Sequence, residues 1–566
     1  MGGLVRGAAW LAMLVVPCVV AAAGAQVPIN PPYLSEPPPA DVERIDYDQT
    51  LIRRLEGNPN TLNPLLRGSD PEHVVLELLY DTPFVFDAQM RWHVNEAIVE
   101  RFEESADHLR ATVVLKHGLK WHDGHPFTAG DIVFSFDQLR DPKVPAAANK
   151  AGLNAIVSCE AVGDYEVRFV FKEASPVSRI KIDFPLVARH VFTAAKAEDP
   201  TLTRSDAAVR ANRRPVGNGP YRFVEWADDE RIVLERWEDY PGPKPFFKRI
   251  VFRILRDQKT ALLALLGGEI DEMRLSPAQF DAQMHNPQFA KVAVGAKADQ
   301  WVTNYIGWNM DGSNPFFADV RVRRAMSCAL DVDQILQSVY RGLYSRSLGI
   351  YPAGSWMFNP EVKPPAHGLA EAGDLLDQAG WKIDPQTGWR TKDGVTFAFE
   401  MLCPQESSTG RQTLTYYQQS LRSVGVDMKL RLVEYATSRD LRRRREFQAC
   451  YGAWTHSDDP DSDRGMWHSS AIDGGANLVS YRNRRVDALF DQAARTFNTG
   501  ERQRCYREIH KLIYDDQPFT FVSVSPSLWA LNKNLRGVEF GPRGAFYRHP
   551  GPRNWWVKRG APLRGP

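Results

Sequence analysis

The sequence predicts an α/β protein built from several lobes. The chain has 566 residues, which is too long for one hydrophobic core. Its apolar residues follow two periods, a period of two that is typical of strands and a period of about 3.6 that is typical of helices. The two patterns interleave along the chain instead of forming separate blocks, and this order favours an α/β architecture.

The period of two predicts the strands. Aromatic and β-branched residues alternate with charged ones over 164–175, which predicts a half-buried strand. The segments 111–116 and 231–235 show a similar alternation. A fourth strand is predicted over 426–432, directly after a helix, so this part of the chain forms an αβ unit.

The helical period places apolar residues three and four positions apart. This spacing predicts helices over four segments, namely 321–330, 414–424, 486–497 and 502–514. Asp331 is predicted to cap a further helix after the first of these. Gly425 is predicted to end the second.

Charge and composition exclude several classes of protein. Lysine and arginine total 70 against 69 aspartates and glutamates, so no bulk charge favours nucleic acid or an anionic membrane. The cysteines are widely spaced and form no C-x-x-C pair, which disfavours a metal ribbon or redox motif. An exported chain could still hold one or two disulfides, but the spacing predicts no pairing.

The first 25 residues have the layout of a secretory signal peptide. Arg6 precedes an apolar run, and small residues follow up to Ala23-Gly24-Ala25, an A-x-A type of cleavage site. We therefore predict export and a periplasmic location. A retained anchor helix or a lipid on Cys18 are the alternatives, and Pro17 disfavours both. The proline-rich segment 26–41 is predicted to be an extended, disordered leader.

Seven short segments stand in one order along the chain. The most specific is LKHGLKWHDGHPFTAGDIVFSFDQL at 115–139, which contains a strand, a DG-x-P-x-TA turn, an Asp cap and a helix. The others are PNTLNP at 59–64, LYD at 79–81, PVGNGPY at 215–221, LLALLGGEID at 262–271, DVRVRRAMSCALD at 319–331 and NLVSYRNRRVDA at 477–488. In this order the segments resemble the family 5 extracellular solute-binding proteins, the dipeptide- and oligopeptide-binding group of ABC transporter substrate-binding proteins.

The resemblance implies a three-lobed, periplasmic-binding-protein-like fold of the cluster C type II, with a ligand cleft between two main lobes. Lobe I would comprise 42–66, 213–298 and 528–566, an inserted lobe 67–212, and lobe II 299–527. Strands that cross between the lobes would form a hinge, and the cleft would close around its ligand.

The resemblance also implies a ligand-facing segment, CYGAWTHSDDPDSD at 450–463. In the family a tryptophan there packs along the peptide, and an aspartate three residues later binds the α-ammonium group. Trp454 matches the tryptophan, but Ser457 stands at the acidic position, and Asp458 is the candidate to replace it. For Asp458 and Asp459 a turn before Pro460 is an equally good interpretation. The remaining candidate ligand contacts, each with a structural hydrogen-bonding role as its alternative, are Tyr80, Asn60, Tyr305, Asn309 and Asn477.

Other motifs are interpreted as structural. His122 and His125 flank the tight turn at Asp123-Gly124, where two histidines usually face solvent, so no metal site is predicted. Gly217-Asn218-Gly219 lacks the third glycine of a dinucleotide loop. The sequence contains no G-x-S-x-G, H-E-x-x-H or Walker lysine. We therefore predict no catalytic residue and no cofactor.

The functional prediction is the substrate-binding protein of an ABC importer. It would be a monomer that binds a peptide or peptide-like molecule and delivers it to permease subunits in the membrane, without catalysis and without nucleic acid. The same fold binding an oligosaccharide, an opine-like compound or a metal chelate stays open, as does a sensor without transport. An exported hydrolase is disfavoured because no nucleophile–base pair stands at a recognisable spacing.

Overall fold

The structure, a computed structural model, describes residues 27–87, 91–146, 150, 152–456, 459–541, 544–545 and 551–564. The predicted signal peptide, Ser457 and Asp458 lie outside these residues. Within the described ranges no helix is both long enough and apolar enough to cross a membrane.

Strands and helices interleave along the chain. The strands are β1 (Thr50–Leu55), β2 (Phe84–Phe86), β3 (Trp92–Val94), β4 (Val99–Glu104), β5 (Arg110–Leu115), β6 (Ile156–Ala161), β7 (Glu166–Phe171), β8 (Tyr221–Ala227), β9 (Arg231–Arg236), β10 (Arg249–Ile254), β11 (Glu272–Arg274), β12 (Ala293–Trp308), β13 (Ser345–Arg346), β14 (Lys382–Ile383), β15 (Arg390–Lys392), β16 (Val395–Thr396), β17 (Ala398–Pro404), β18 (Asp427–Val433), β19 (Ala449–Thr455), β20 (Phe519–Asn532), β21 (Leu535–Arg536), β22 (Phe540–Gly541), β23 (Gly544–Ala545) and β24 (Trp556–Val557). The α-helices are α1 (Asp70–Leu79), α2 (Ala129–Arg140), α3 (Ser178–Lys181), α4 (Arg189–Glu198), α5 (Asp206–Arg213), α6 (Gln258–Leu266), α7 (Pro277–Gln283), α8 (Pro287–Val292), α9 (Val320–Cys328), α10 (Val332–Ser338), α11 (Leu369–Gln378), α12 (Ser408–Ser423), α13 (Tyr435–Arg443), α14 (Arg464–Trp467), α15 (Arg484–Arg495) and α16 (Thr499–Asp516).

These elements confirm the predicted periods. The alternation over 164–175 is β7, and the αβ unit before 432 is α12 followed by β18. Gly425 follows α12 with φ of +78°, a left-handed conformation that glycine adopts without steric cost. The side chain of Asp331 accepts a hydrogen bond from the backbone N–H of Gln334, so it caps α10 as predicted.

One large mixed sheet runs through the molecule in the order β18-β17-β19-β12-β20-β11-β1-β10-β9-β8. The long strands β12 and β20 lie in its middle and pair antiparallel over most of their length. Their register shifts between Asp299 and Thr303. On the Asp299 side of the shift β20 also pairs with β11, and on the Thr303 side β12 also pairs with β19. The two strands therefore join the two ends of the sheet, which is the connection expected of a hinge.

The hydrophobic core is divided between the two ends of the sheet. One cluster joins β1, β8, β9 and β10 to the small sheet β4-β5-β7-β6, and it includes Leu51, Phe169 and Trp555. Two other clusters lie beyond the register shift and contain Trp308 and Tyr506. Different clusters therefore stabilise the two sides of the register shift.

Residues 27–36 differ from the predicted disordered leader. Leu34 and Val27 are buried, in two different clusters of the core. The backbone N–H of Val27 donates to the carbonyl of Met284 at 2.9 Å, and that of Asn30 donates to the carbonyl of Gly295 at 2.9 Å. The proline-rich segment is therefore docked on the core, and its two buried aliphatic side chains offset part of the ordering entropy.

The turn at 217–219 anchors the end of α1. A Cβ on Gly217 or Gly219 would overlap the backbone around Leu79, so the approach requires glycine. The N–H of Gly219 donates to the carbonyl of Leu79 at 2.9 Å. The side chain of Asn218 accepts a hydrogen bond from the N–H of Asp81 at 2.9 Å. These contacts hold Tyr80 at the C-terminus of α1.

Candidate functional site

Two pockets lie on the crossing strands, one on each side of the register shift. The first, here called the β1 pocket, has a volume of about 80 Å³ and includes Arg53, Glu272, Arg274 and Trp529 in its lining. The second, here called the β12 pocket, has a volume of about 90 Å³ and includes Asp299, Trp301, Thr303, Arg346 and Tyr351. Arg274 donates to the side chain of Gln300 at 3.3 Å, which links the β1 pocket to the strand that lines the β12 pocket.

A third and larger cavity adjoins the β1 pocket. It has a volume of about 200 Å³ and lies between the end of α1, Phe184 and Arg553. Both spaces share Arg53 and Val74 in their lining. The β1 side of the molecule therefore offers room for a ligand to extend beyond the first pocket.

The β1 pocket contains a buried ion pair with one unsatisfied oxygen. Arg53 Nε donates to Glu272 Oε1 at 2.9 Å, and the side chains are only 5% and 2% exposed. The other carboxylate oxygen, Glu272 Oε2, is buried without a hydrogen-bond partner among the described residues. Burial raises the pKa of Glu272, and the Arg53 guanidinium opposes that rise. Leaving such an oxygen unpaired is unfavourable, so a donor group of a bound solute would stabilise it.

The β12 pocket contributes unsatisfied donors. The indole N–H of Trp301 and the hydroxyl of Tyr351 are both buried and have no hydrogen-bond partner within the described ranges. The hydroxyl of Thr303 and Nε2 of His456 lie 2.9 Å apart, and the N–H of His456 donates to the carbonyl of Trp301. Buried polar atoms in native proteins are nearly always paired, so two unpaired donors in one pocket indicate a position for a polar ligand.

An acidic segment, Asp459 to Asp463, borders the β12 pocket. Burial and the Asp461 carboxylate raise the pKa of Asp459 to about 6, with Arg502 and Lys181 opposing the rise. Burial, then Asp459 and Asp461, hold the pKa of Asp463 well above its usual range. Burial, followed by the Asp463, Asp461 and Asp459 carboxylates, raises the pKa of Tyr351, whose side chain lines the pocket. This wall of the site therefore favours a positively charged group.

Two contacts join the part of the chain between β4 and α3 to the acidic wall. The imidazole of His108, in the turn between β4 and β5, stacks on Phe497 with ring centroids 3.8 Å apart and an interplanar angle of 17°. The ammonium of Lys181, in α3, opposes the rise in the pKa of both Asp459 and Asp461. The β4–α3 part of the chain therefore lies next to the part of the chain that contains Phe497 and the acidic segment.

The predicted aromatic residue, Trp454, lies on β19 directly opposite Thr303 of β12. Its ring is half-buried against the core of this side, and its indole N–H is a further buried donor without a hydrogen-bond partner in the described part of the chain. Asp459 is half-buried, and its carboxylate accepts a hydrogen bond from the N–H of Asp461 at 3.0 Å, so it also caps the following turn. Both residues lie on the β12 side of the site.

Two predicted residues lie on the β1 side, and only one lines a cavity. Tyr80 lines the 200 Å³ cavity, where its hydroxyl is buried without a hydrogen-bond partner among the residues described. The side chain of Asn60 is exposed, and its backbone N–H donates to Glu72 at 3.0 Å. Asn60 therefore lines none of the three cavities described above.

The remaining three candidates lie inside the core. Tyr305 stacks on Phe519 with centroids 3.8 Å apart and rings nearly parallel. The amide of Asn309 donates to the carbonyl of Phe447 at 2.8 Å. The amide of Asn477 donates to the carbonyl of Tyr481 at 2.9 Å and accepts from its N–H. The hydrogen bonds of Asn309 and Asn477 are the alternative interpretation of these residues, and Tyr305 packs in the core through its ring.

Sequence analysis did not single out the buried residues that line the two pockets. Glu272 directly follows the LLALLGGEID segment, which carries part of the family resemblance. Arg53 lies in the sequence TLIRRL, which forms β1, and a charged residue in a strand usually faces solvent. Two adjacent arginines in an otherwise apolar strand were the available signal, since a buried arginine requires a carboxylate partner.

A family model and a known relative match this chain over most of its length. Residues 93–475 match the family model described as "Bacterial extracellular solute-binding proteins, family 5 Middle". The oligopeptide-binding protein AppA of Bacillus subtilis (strain 168) is 26% identical over 520 residues, which cover 89% of this chain and 90% of the relative.

Two solved structures share the fold over nearly the whole chain. The structure of AppA from Bacillus subtilis in complex with a nonapeptide has a TM-score of 0.68 at 25% identity and covers 91% of this chain and 99% of that one. NikZ from Campylobacter jejuni in complex with Ni(L-His) has a TM-score of 0.69 at 23% identity and covers 90% and 99%. At 23% identity, the similarity to NikZ shows a shared fold only.

Proposed function

The chain belongs to the bacterial extracellular solute-binding proteins of family 5, and on this premise we propose that it is the exported binding component of an ABC importer for peptides or peptide-like solutes. The ligand would lie across the β12 pocket and the β1 pocket. The observation that carries the proposal is the set of buried polar atoms on the two walls, Glu272 Oε2 on one and Trp301, Trp454 and Tyr351 on the other. A solute that offers both donors and acceptors satisfies them together.

The charges of the two walls favour a zwitterionic ligand. The acidic segment beside the β12 pocket suits an ammonium group, because pairing offsets the desolvation of both charges. Arg274 lines the β1 pocket, and its guanidinium, which donates to Gln300, suits a carboxylate. A peptide carries these two groups at its ends, and the polar atoms between the walls suit its amides.

Delivery would follow from hinge closure. The lobe boundaries at 298/299 and 527/528 fall on β12 and β20, near the register shift. Contacts from the ligand to both walls favour the closed arrangement, which the stack of His108 on Phe497 also stabilises. Recognition of the closed form by membrane permease subunits would then couple binding to import. In this role the protein is a periplasmic monomer that catalyses no reaction.

A second candidate ligand is a metal chelate in the same cleft. Ser457 stands where the resemblance implies the ammonium-binding aspartate, and the aromatic groups Trp301, Trp454 and Tyr351 provide flat surfaces and neutral donors. Such a wall suits a compact, planar solute as well as a peptide.

The two candidates are distinguished by a thermal-shift screen of residues 26–566 against pooled peptides and pooled metal chelates. A ligand held at a hundred times its Kd adds about 2.7 kcal/mol to the free energy of unfolding, which raises Tm measurably. A shift with peptides alone supports the first candidate, and a shift with chelates alone supports the second. If neither pool raises Tm, the import role is contradicted.

Trp454→Phe then locates the ligand, because it keeps an aromatic ring and removes only the indole donor. We expect the Kd, measured by calorimetry, to rise about tenfold, the effect of one lost hydrogen bond of about 1.4 kcal/mol. Trp226→Phe is the matched control. Trp226 also carries a buried indole N–H without a hydrogen-bond partner in the described ranges, but it lies on the edge strand β8. Equal effects of the two substitutions would place the ligand outside this cleft.

A further inference from the structure

A cluster of two imidazoles and one carboxylate lies on the surface outside the pockets of the cleft. Asp123 and His125 belong to the turn before α2, and His190 stands at the start of α4. One ligand atom from each residue lies within 4.8 Å of the others. The sequence separates Asp123 from His190 by 67 positions, so only the fold brings them together.

We propose that Asp123, His125 and His190 form a binding site for a borderline divalent cation such as Zn²⁺. This donor set, two neutral imidazoles and a carboxylate, is one that zinc takes in proteins with a fourth position left to water. The site is separate from the proposed ligand cleft and does not depend on it.

The distances agree with what a metal would need. Asp123 Oδ2 lies 2.7 Å from His190 Nε2, and Asp123 Oδ1 lies 3.3 Å from His125 Nδ1. With zinc–ligand bonds of about 2.0–2.1 Å in a tetrahedron, two ligand atoms stand roughly 3.3 Å apart. The carboxylate and the two imidazoles therefore need only small side-chain rotations to reach one ion.

The two imidazoles lie next to each other and contact the same carboxylate. The imidazoles of His125 and His190 are stacked, with centroids 3.9 Å apart and an interplanar angle of 15°. Each ring directs a nitrogen towards the same carboxylate. A divalent cation in this place would compensate the carboxylate, and rotation of one ring about its Cβ–Cγ bond would let the ion accept a nitrogen lone pair from each imidazole.

The backbone on both sides of the site is held in place. The N–H of Trp121 donates to the carbonyl of His125 at 2.8 Å, and the buried ring of Trp121 fixes the turn. Asp131, in the first turn of α2, accepts a hydrogen bond from the N–H of Arg189 at 2.9 Å. The turn, α2 and the start of α4 are thus one hydrogen-bonded unit, which preorganises the three ligands.

Solvent reaches the site from one side. The side chains of Asp123 and His190 are 32% and 28% exposed, and that of His125 is 59% exposed. An ion can therefore enter without local unfolding, and a water molecule can complete its coordination. The exposure of His125 also makes it the ligand whose substitution disturbs the fold least.

The test is calorimetric titration of Zn²⁺ into residues 26–566, prepared without a histidine tag. We expect one ion to bind the wild-type chain and the Kd to rise about tenfold or more in His125→Gln and in His190→Gln. His285→Gln is the matched control, because His285 is exposed and its imidazole contacts only the carbonyl of Asp281 among the interactions described for it. Far-ultraviolet circular dichroism confirms that each variant is folded.

Absence of saturable zinc binding to the wild-type chain overturns the proposal, and so does an unchanged Kd in both His125→Gln and His190→Gln. Trp454→Ala separates this site from the cleft. Zinc binding that persists in that variant supports a separate site, and zinc binding that is lost contradicts it. Because this titration uses the metal alone, failure of the ligand screen leaves its result unaffected.

Discussion

The two walls of the cleft bury charge in opposite ways. On the β1 wall, Glu272 pairs with Arg53, and Arg54 Nη1 lies 3.4 Å from Glu56. On the β12 wall, the carboxylates of the segment 459–463 lie close enough to raise one another's pKa. The β1 wall pairs each of these two carboxylates with an arginine, whereas on the β12 wall one arginine, Arg502, pairs with Asp461 at 2.9 Å beside two further carboxylates.

This difference indicates that the charges of the β1 wall mainly stabilise the structure, whereas those of the β12 wall are suited to binding a ligand. A buried ion pair is stable once formed but contributes little beyond its own desolvation, so the β1 pair mainly holds the pocket's shape. Neighbouring carboxylates in a poorly solvated place oppose folding, and a bound ammonium relieves that opposition. We therefore expect the cationic end of a ligand to lie on the β12 wall.

The largest expected effect is on stability, and it comes from removing one partner of the ion pair on the β1 wall. Arg53→Met leaves the Glu272 carboxylate buried without its cation, and we expect the free energy of unfolding to fall by about 3–5 kcal/mol. Urea denaturation measures it. The double variant Arg53→Met with Glu272→Leu removes both charges and should recover most of the loss. If the double variant is no more stable than the single one, Arg53 acts by packing on Phe252 and Trp555 instead of by its charge.

A smaller effect tests the acidic wall through pH. The folded-state pKa of Asp459 is raised to about 6, above its unfolded value, so its ionisation opposes folding. This opposition is absent at low pH and grows as pH rises from about 4 to about 6. A cationic ligand needs the ionised form, so its Kd should rise by up to about tenfold for each pH unit below 6.

Asp459→Asn is the control for this pH dependence. In this variant the slope of log Kd against pH between 5 and 7, measured by calorimetry, should decrease by the contribution of about one titrating group. Asp461, Asp463, Arg502 and Lys181 remain in that variant, so any slope that persists belongs to them. An unchanged slope would show that Asp459 does not contact the cationic end of the ligand.

The smallest effect concerns the contact between His108 and Phe497. Phe497→Ala removes the ring that stacks on His108, and a stacked aromatic pair contributes about 0.5–1.5 kcal/mol. We expect ligand dissociation to become faster, up to about tenfold, with the association rate unchanged, because the closed form is the one that is lost. Stopped-flow fluorescence of the tryptophans measures both rates. A change in the association rate alone would contradict a closing role.

Sequence patterns predicted the elements better than the site. The strand over 164–175 and the helices near 486–497 and 502–514 follow from local periodicity, which depends on residues close in the chain. Of the candidate site residues, Asn309 and Asn477 proved to be hydrogen-bonded inside the core. An asparagine has the same donors and acceptors in a core and in a cleft, so its type alone does not predict its place.

The sequence by itself determined the periods of the strands and helices, the glycine turns and the order of segments that identifies the family. Only the tertiary structure decided which charges share a wall, that Trp454 stands opposite Thr303, and that His190 reaches His125 and Asp123. The physical reason is range. Periodicity and turns depend on neighbours within a few residues, whereas pKa values, unpaired donors and metal geometry depend on atoms that only the folded chain brings within a few ångströms.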